Sequence, residues 1–209
     1  MTRLTRTLFV CSALVYCVLS FQAASAAPDS GAGAFVKQLG DRAIQTLTVK
    51  EISEAEREER FRALLRDGFD VRRIGRFVLG RYVRSMKPAL VEEYNALFED
   101  LIVATYAARF AEYSGQTFDI KRVTTQGNEG DSIVMSEIRP ADGGTPIRVD
   151  WQVRGEGNDA KIIDVRVEGV SMSLTQREEF TAVIQQGGGN VDSLLDALRK
   201  KTGNLKSRQ

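Results

Sequence analysis

The sequence predicts an α+β fold: a four-stranded, twisted antiparallel sheet packed on one face by several amphipathic helices. Three observations lead there. Apolar residues recur at three-to-four spacing between Phe35 and Tyr113, the mark of helices with one buried stripe. After Gly115 the period drops to two, as strands with one buried face require. The alternating runs are joined by short glycine-rich connections suited to hairpins.

The first helix is expected near Phe35, with Phe35, Val36, Leu39, Ala43, Ile44 and Leu47 on its apolar side. Ser53-Glu54-Ala55-Glu56 reads as a capping box ahead of a second helix, which Gly68 ends. Asp70 caps a third, carrying Val71, Ile74, Phe77 and Val78 and closed by Gly80. Pro88 suits the first position of a long helix reaching Tyr113, with Val91, Tyr94, Phe98, Leu101, Ile102, Thr105, Tyr106 and Phe110 on one stripe.

Four strands follow at 116–124, 132–138, 146–154 and 161–170. In the third, Ile147, Val149, Trp151 and Val153 face one way and Arg148, Asp150, Gln152 and Arg154 the other. In the fourth, Ile163, Val165 and Val167 oppose Asp164, Arg166 and Glu168. Thr175-Gln176-Arg177-Glu178 reads as a second capping box, for a helix stopped by Gly187-Gly188-Gly189. A last helix carries Val191, Leu194, Leu195 and Leu198.

The N-terminus reads as an export signal. Arg3 and Arg6 precede an apolar run from Leu8 to Phe21, and Ala24-Ser25-Ala26 supplies small residues before a cleavage point. The run is shorter than the roughly 20 residues of a membrane span. Residues 1–26 are therefore expected to be a cleaved signal peptide and 27–34 a flexible N-terminus. Residues 35–203 are expected to form a single domain, and 204–209 a disordered tail. The expected location is the periplasm.

Without residues 1–26 the chain has 27 basic and 28 acidic residues. That near balance argues against nucleic acid as a partner. Both cysteines, Cys11 and Cys17, lie in the signal, so the mature chain has no disulfide and must fold by burial alone. There is no histidine, which removes the usual general base near neutral pH and the commonest metal ligand. No cofactor or metal is expected.

Residue clusters that could carry chemistry read better as structure. Gly169-Val170-Ser171-Met172-Ser173 approximates a nucleophile elbow, but its last position is Ser and no histidine exists to activate Ser171. Asp164 and Glu168 fall about 13 Å apart along one strand, too far for a glycosidase pair, and read as a solvated or salt-bridged polar face. Arg72, Arg73, Arg76, Arg81 and Arg84 cluster around Phe77-Val78-Leu79-Gly80. They suit either a solvated face or a contact for an anionic headgroup or acidic partner. The apolar stripe on 91–110 and the inward sheet face suit a filled core and a lipid-holding cavity equally.

Three segments carry a family resemblance. They are Phe77-Val78-Leu79-Gly80-Arg81-Tyr82; Phe98 to Gly115; and Asp164 to Ser171 (DVRVEGVS) followed by Gln176-Arg177-Glu178-Glu179-Phe180. Together they resemble the periplasmic phospholipid-binding proteins of the Mla pathway, the toluene-tolerance family of ABC-transporter auxiliary components. Thr175 to Phe180, TQREEF, is also similar to the hopanoid-associated branch of that family. Val83 and Ala160 stand where the family often has Trp, which bears on the shape of a pocket.

The resemblance implies a carrier without enzymatic activity. It would hold the acyl chains of a phospholipid, or a hopanoid-type lipid, between sheet and helices. It would exchange that lipid with an inner-membrane ABC/MCE complex and an outer-membrane lipoprotein complex, without itself spanning a membrane. The expected wall of the cavity is Leu79, Val83, Phe98, Ile102, Tyr106, Val149, Trp151, Val165, Val167 and Met172, chosen by strand parity and stripe position. A cargo-free adaptor subunit and a lipid-modifying enzyme are the competing readings.

Overall fold

The computed structural model describes residues 25–26, 31–126 and 131–206. Among the described residues six α-helices, α1 (Ala32–Leu47), α2 (Glu54–Gly68), α3 (Val71–Leu79), α4 (Pro88–Tyr106), α5 (Met172–Gln186) and α6 (Asp192–Lys206), pack with one antiparallel sheet. The sheet runs β1 (Ser25–Ala26), β2 (Thr117–Gln126), β3 (Asp131–Arg139), β4 (Ile147–Arg154), β5 (Lys161–Val167) and β6 (Val170–Ser171), in that spatial order. The α+β class holds, and the four expected strands form the body of the sheet. Two-residue strands flank them, so the expected count of four is too low. Most of the signal-peptide expectation lies outside the described residues. Ser25 and Ala26 pair with Thr124 and Val123.

The helix starts follow local chemistry. The Ser53 hydroxyl accepts from the Glu56 amide at 3.2 Å, and the Asp70 carboxylate from the Arg73 amide at 3.0 Å. Pro88 opens α4 as expected. That helix is α-helical only to Tyr106, then tightens into a 3₁₀ stretch, Ala107–Glu112. α1 begins at Ala32, three residues before Phe35, and α6 continues to Lys206, inside the tail expected to be disordered.

Two bulges correct the strand parity. The β4–β5 register slips by one residue: Gln152 pairs with Asp164 but Val153 pairs with Ile162, so Ile163 is the extra residue. Ile162, not Ile163, therefore takes the inward place beside Val165 and Val167, and it is fully buried. A second slip between Ile120 and Arg122 sets β2.

The expected fourth strand also ends early. Glu168 and Gly169 both have positive φ, 50° and 83°, and make a two-residue turn, after which β6 pairs back onto β5. Such a backbone suits glycine and is unusual for Glu168. The capping box expected at Thr175 is displaced too. Ser171 caps α5, accepting from the Leu174 amide at 3.1 Å, and Thr175 sits in the first turn.

The core has two main layers. α1 lays Phe35, Val36 and Leu39 on the inner sheet face, against Val123, Val134, Val153 and Ile162. α3, α4, α5 and α6 build a helical core around Tyr94, Phe98, Phe180 and Leu195. A smaller cluster, Leu65, Val103 and Ala107, joins α2 to α4. Between α2 and α4, Arg62 donates to Glu99 and Asp100, both at 2.9 Å, and Arg66 reaches Glu99 at 2.8 Å.

Burial pushes the Glu99 carboxyl up, but hydrogen bonds from Arg66 and Arg62 outweigh it and hold it below the ordinary carboxylate range. The Arg154 guanidinium likewise holds Asp131 low. Both carboxylates bind fewer protons folded than unfolded. Their stabilisation is complete above about pH 4.3 and drains as pH falls through the native values. The chain has no histidine. Urea unfolding is therefore expected to show nearly constant stability between roughly pH 8 and 5.5, then a decline in acid. A step between about pH 6 and 7 would contradict this assignment.

Candidate functional site

The three segments that carry the resemblance converge in space. Phe77 and Gly80 sit at the end of α3, Phe98 lies in the middle of α4, and α5 lies across both. The Arg177 guanidinium stands 5.1 Å over the Phe77 ring. It also fills the space beside Gly80, where a Cβ would meet it at 3.2 Å. Gly80 has φ 59°, so this corner calls for glycine on two counts. Phe180, one turn on from Arg177, meets Phe98 edge-on at 6.2 Å.

The DVRVEGVS segment positions the start of α5. Asp164 accepts from the Ser171 hydroxyl at 2.7 Å, the Ser173 hydroxyl at 2.7 Å and the Ser173 amide at 3.2 Å. It is only 8 % exposed and lies 3.8 Å from the Arg166 guanidinium, so of the expected solvated or salt-bridged face the salt-bridged alternative holds at this position. Glu168 has left the strand for the turn, where its carboxylate accepts from the Arg148 amide. Ser171 is occupied as donor to Asp164 and acceptor from Leu174, which leaves it a cap rather than a nucleophile.

The expected wall residues fall into four groups. Leu79 and Phe98 are buried in the helical core, with Val83 and Ile102 half-buried against it. Trp151 and Val165 belong to the sheet core, while Val149 is buried opposite Ser136 and Val167. Tyr106 is 40 % exposed at the end of α4, with the Arg109 guanidinium 5.6 Å from its ring. Val167 and Met172 are half-buried where β5 hands over to α5. The structure thus assembles two apolar surfaces, one helical and one on the sheet, and sets Tyr106 outside both.

The inner sheet face is chemically apolar despite Ser136 and the indole N–H. Trp151 Nε1 donates to Ser136 Oγ at 2.9 Å, and Ser136 Oγ donates to the Val149 carbonyl at 2.8 Å. Each polar atom is satisfied within the face, so none must be met by a ligand. Ala160, one of the two departures from Trp, is buried in this layer.

Two clefts open on the helical side and share Leu79. One, of about 280 Å³, lies between α3, the 3₁₀ turn Gly80–Ser85 and α4; Val83, Val91 and Tyr94 line it, with Arg72, Arg73 and Arg76. The other, of about 310 Å³, is lined by Arg81, Tyr82, Arg177, Thr181 and Gln185. The arginine cluster was legible in the sequence. Arg177 stood in the segment that carries the resemblance, but its contact with Phe77, a hundred residues away, was not legible. Among the described residues no acidic cluster suits a metal ion, and no helix is long and apolar enough to cross a membrane.

Comparison with known proteins agrees with this geometry. The chain is 25% identical over 128 residues to the intermembrane phospholipid transport system binding protein MlaC of Haemophilus influenzae. The match covers 60% of this chain and 59% of that protein, less than two thirds of the relative's length. A solved structure of the phospholipid-binding protein from Ralstonia solanacearum, in complex with a phospholipid, superposes with a TM-score of 0.73 at 23% identity. That superposition covers 83% of this chain and 97% of the other, and it shows a shared fold. Residues 37–200 match the MlaC protein family, a span that includes all three converging segments, and the chain belongs to that family.

Proposed function

We propose that this protein is a periplasmic carrier that holds a phospholipid by its acyl chains and passes it between an inner-membrane ABC/MCE complex and an outer-membrane lipoprotein complex. Family membership is the observation that carries the reading. Further support comes from the fold shared with a protein solved around a phospholipid, and from two apolar layers, one helical and one on the sheet.

The energetic requirement is large. Each methylene left in water costs about 0.8 kcal/mol, so two chains of about 15 methylenes cost on the order of 24 kcal/mol if bare. The protein must replace that burial with Leu79, Phe98, Ile102, Val149, Trp151 and their neighbours. Leu79, Phe98 and Val149 are packed against protein here. The cleft beside Arg177, about 310 Å³, is at the low end of the roughly 300–1,000 Å³ of small-ligand pockets. Loading therefore requires the helical layer to part from its neighbours. No step of this exchange makes or breaks a covalent bond, so no enzymatic group is needed.

Trp151 is the only tryptophan in the chain and faces inward on β4. Phospholipid brominated on its acyl chains is expected to quench Trp151 fluorescence on binding, whereas unbrominated lipid is not. Binding without quenching would place the chains away from the sheet and overturn the proposed wall.

A further inference from the structure

The cleft between α3 and α4 carries charge that acyl-chain binding does not use. Its lining includes three guanidinium groups, Arg72, Arg73 and Arg76, against one carboxylate, Glu92. Glu92 is committed to Arg72, accepting at 3.0 and 2.7 Å. Arg73 and Arg76 are exposed and have no carboxylate within salt-bridge distance among the described residues. Arg73 acts on Asp131 only through space, and Asp131 is already held by Arg154 at 2.6 Å. Positions 73 and 76 are three apart on α3, so the two cations neighbour one another on one side of the helix. Beside them lie the apolar side chains of Leu79, Val83 and Val91.

A pair of unmatched cations beside an apolar floor suits an amphiphile whose polar end is an anion. An acidic protein patch fits less well, because such contacts bury about 800 Å² on each partner. This is a cleft of about 280 Å³, the scale of one headgroup and the carbons next to it. We propose that Arg73 and Arg76 receive the phosphate of an anionic phospholipid, with its first acyl carbons on Leu79 and Val83. This rests on the lipid-carrier reading and adds a preference to it. A net-negative headgroup such as phosphoglycerol gains both guanidinium contacts. A phosphocholine headgroup carries its own ammonium into the same cationic cleft and loses part of that gain.

Isothermal titration with soluble short-chain probes tests this, using dihexanoylphosphatidylglycerol, dihexanoylphosphatidylcholine and inorganic phosphate. At low salt the wild-type protein is expected to bind the phosphatidylglycerol probe on the order of tenfold more tightly than the phosphatidylcholine probe. The margin should shrink as salt screens the exposed guanidinium groups. The double variant Arg73→Ala/Arg76→Ala is expected to lose the preference, weakening the phosphatidylglycerol probe on the order of tenfold more than the phosphatidylcholine probe, with its thermal midpoint unchanged. Arg73→Lys/Arg76→Lys should keep most of it. A preference that survives in the alanine variant overturns the assignment. Competition by inorganic phosphate as strong as by the anionic probe overturns the headgroup and leaves a free-anion site. If the probes bind wild type equally, the cleft proposal alone falls. If neither binds, the carrier reading falls with it.

Discussion

Phe98→Ala is expected to destabilise the protein by about 3–5 kcal/mol, more than any other single truncation in the helical core. Phe98 is 3% exposed and lies at the centre of a three-ring cluster. It stacks on Tyr94 at 5.7 Å and meets Phe180 edge-on at 6.2 Å, while Tyr94 and Phe180 meet at 6.3 Å. Aromatic pairs of this geometry add roughly 0.5–1.5 kcal/mol beyond burial. The Tyr94 hydroxyl also donates to the Gly75 carbonyl at 3.0 Å, and burial pushes its phenol pKa up, so α3 is tied to the same cluster. Truncation should lower the thermal midpoint by roughly 10 °C for a domain of this size. It should also weaken lipid retention, because the cluster fixes α3 against α4 and α5. Phe98→Leu, which keeps most of the volume, should recover a large part of both. A midpoint within about 2 °C of wild type for Phe98→Ala would show that these helices are not held by the ring cluster.

Asp164→Ala is the second large effect, at about 3 kcal/mol. Asp164 accepts three hydrogen bonds from Ser171 and Ser173, and removal leaves those donors short of a partner in a largely buried site. Asp164→Asn retains an acceptor oxygen and should lose less. Hydrogen exchange separates this from general loosening: the Ser173 and Leu174 amides at the start of α5 should lose protection first. Protection unchanged there, with stability lost elsewhere, would contradict the capping role.

The helices were legible because their signals are local. Ser53, Asp70 and Pro88 act on amides or dihedrals within three residues of themselves, and the structure uses each of them as the sequence suggests. The stripe that placed Phe98 inside was equally local. Tyr106 belongs to the same stripe by spacing, but α4 ends there and it is Ala107 that is buried against Leu65 and Val103, with Tyr106 left 40 % exposed.

The sheet was legible in number of long strands but not in detail. One extra residue at Ile163 exchanges the roles of Ile162 and Ile163. No alternation rule reveals it, because both residues are isoleucine. The serine contacts of Asp164 were hidden for a related reason. The turn at Glu168-Gly169 folds Ser171 and Ser173 back onto it, and that return is settled by backbone geometry rather than polarity. The capping-box rule chose Thr175 because a glutamate lies three residues on, whereas Ser171 has a carboxylate partner seven residues earlier in sequence. Contacts such as Arg177 on Phe77 depend on which helix packs on which, which is a tertiary choice.

The central claim is that this chain carries lipid, and organic extraction of the purified protein with mass spectrometry of the extract tests it most directly. The account predicts close to one phospholipid per protein chain, reduced in a Val149→Asp variant that places a charge on the inner sheet face. Protein that is folded and free of any extractable lipid would contradict it.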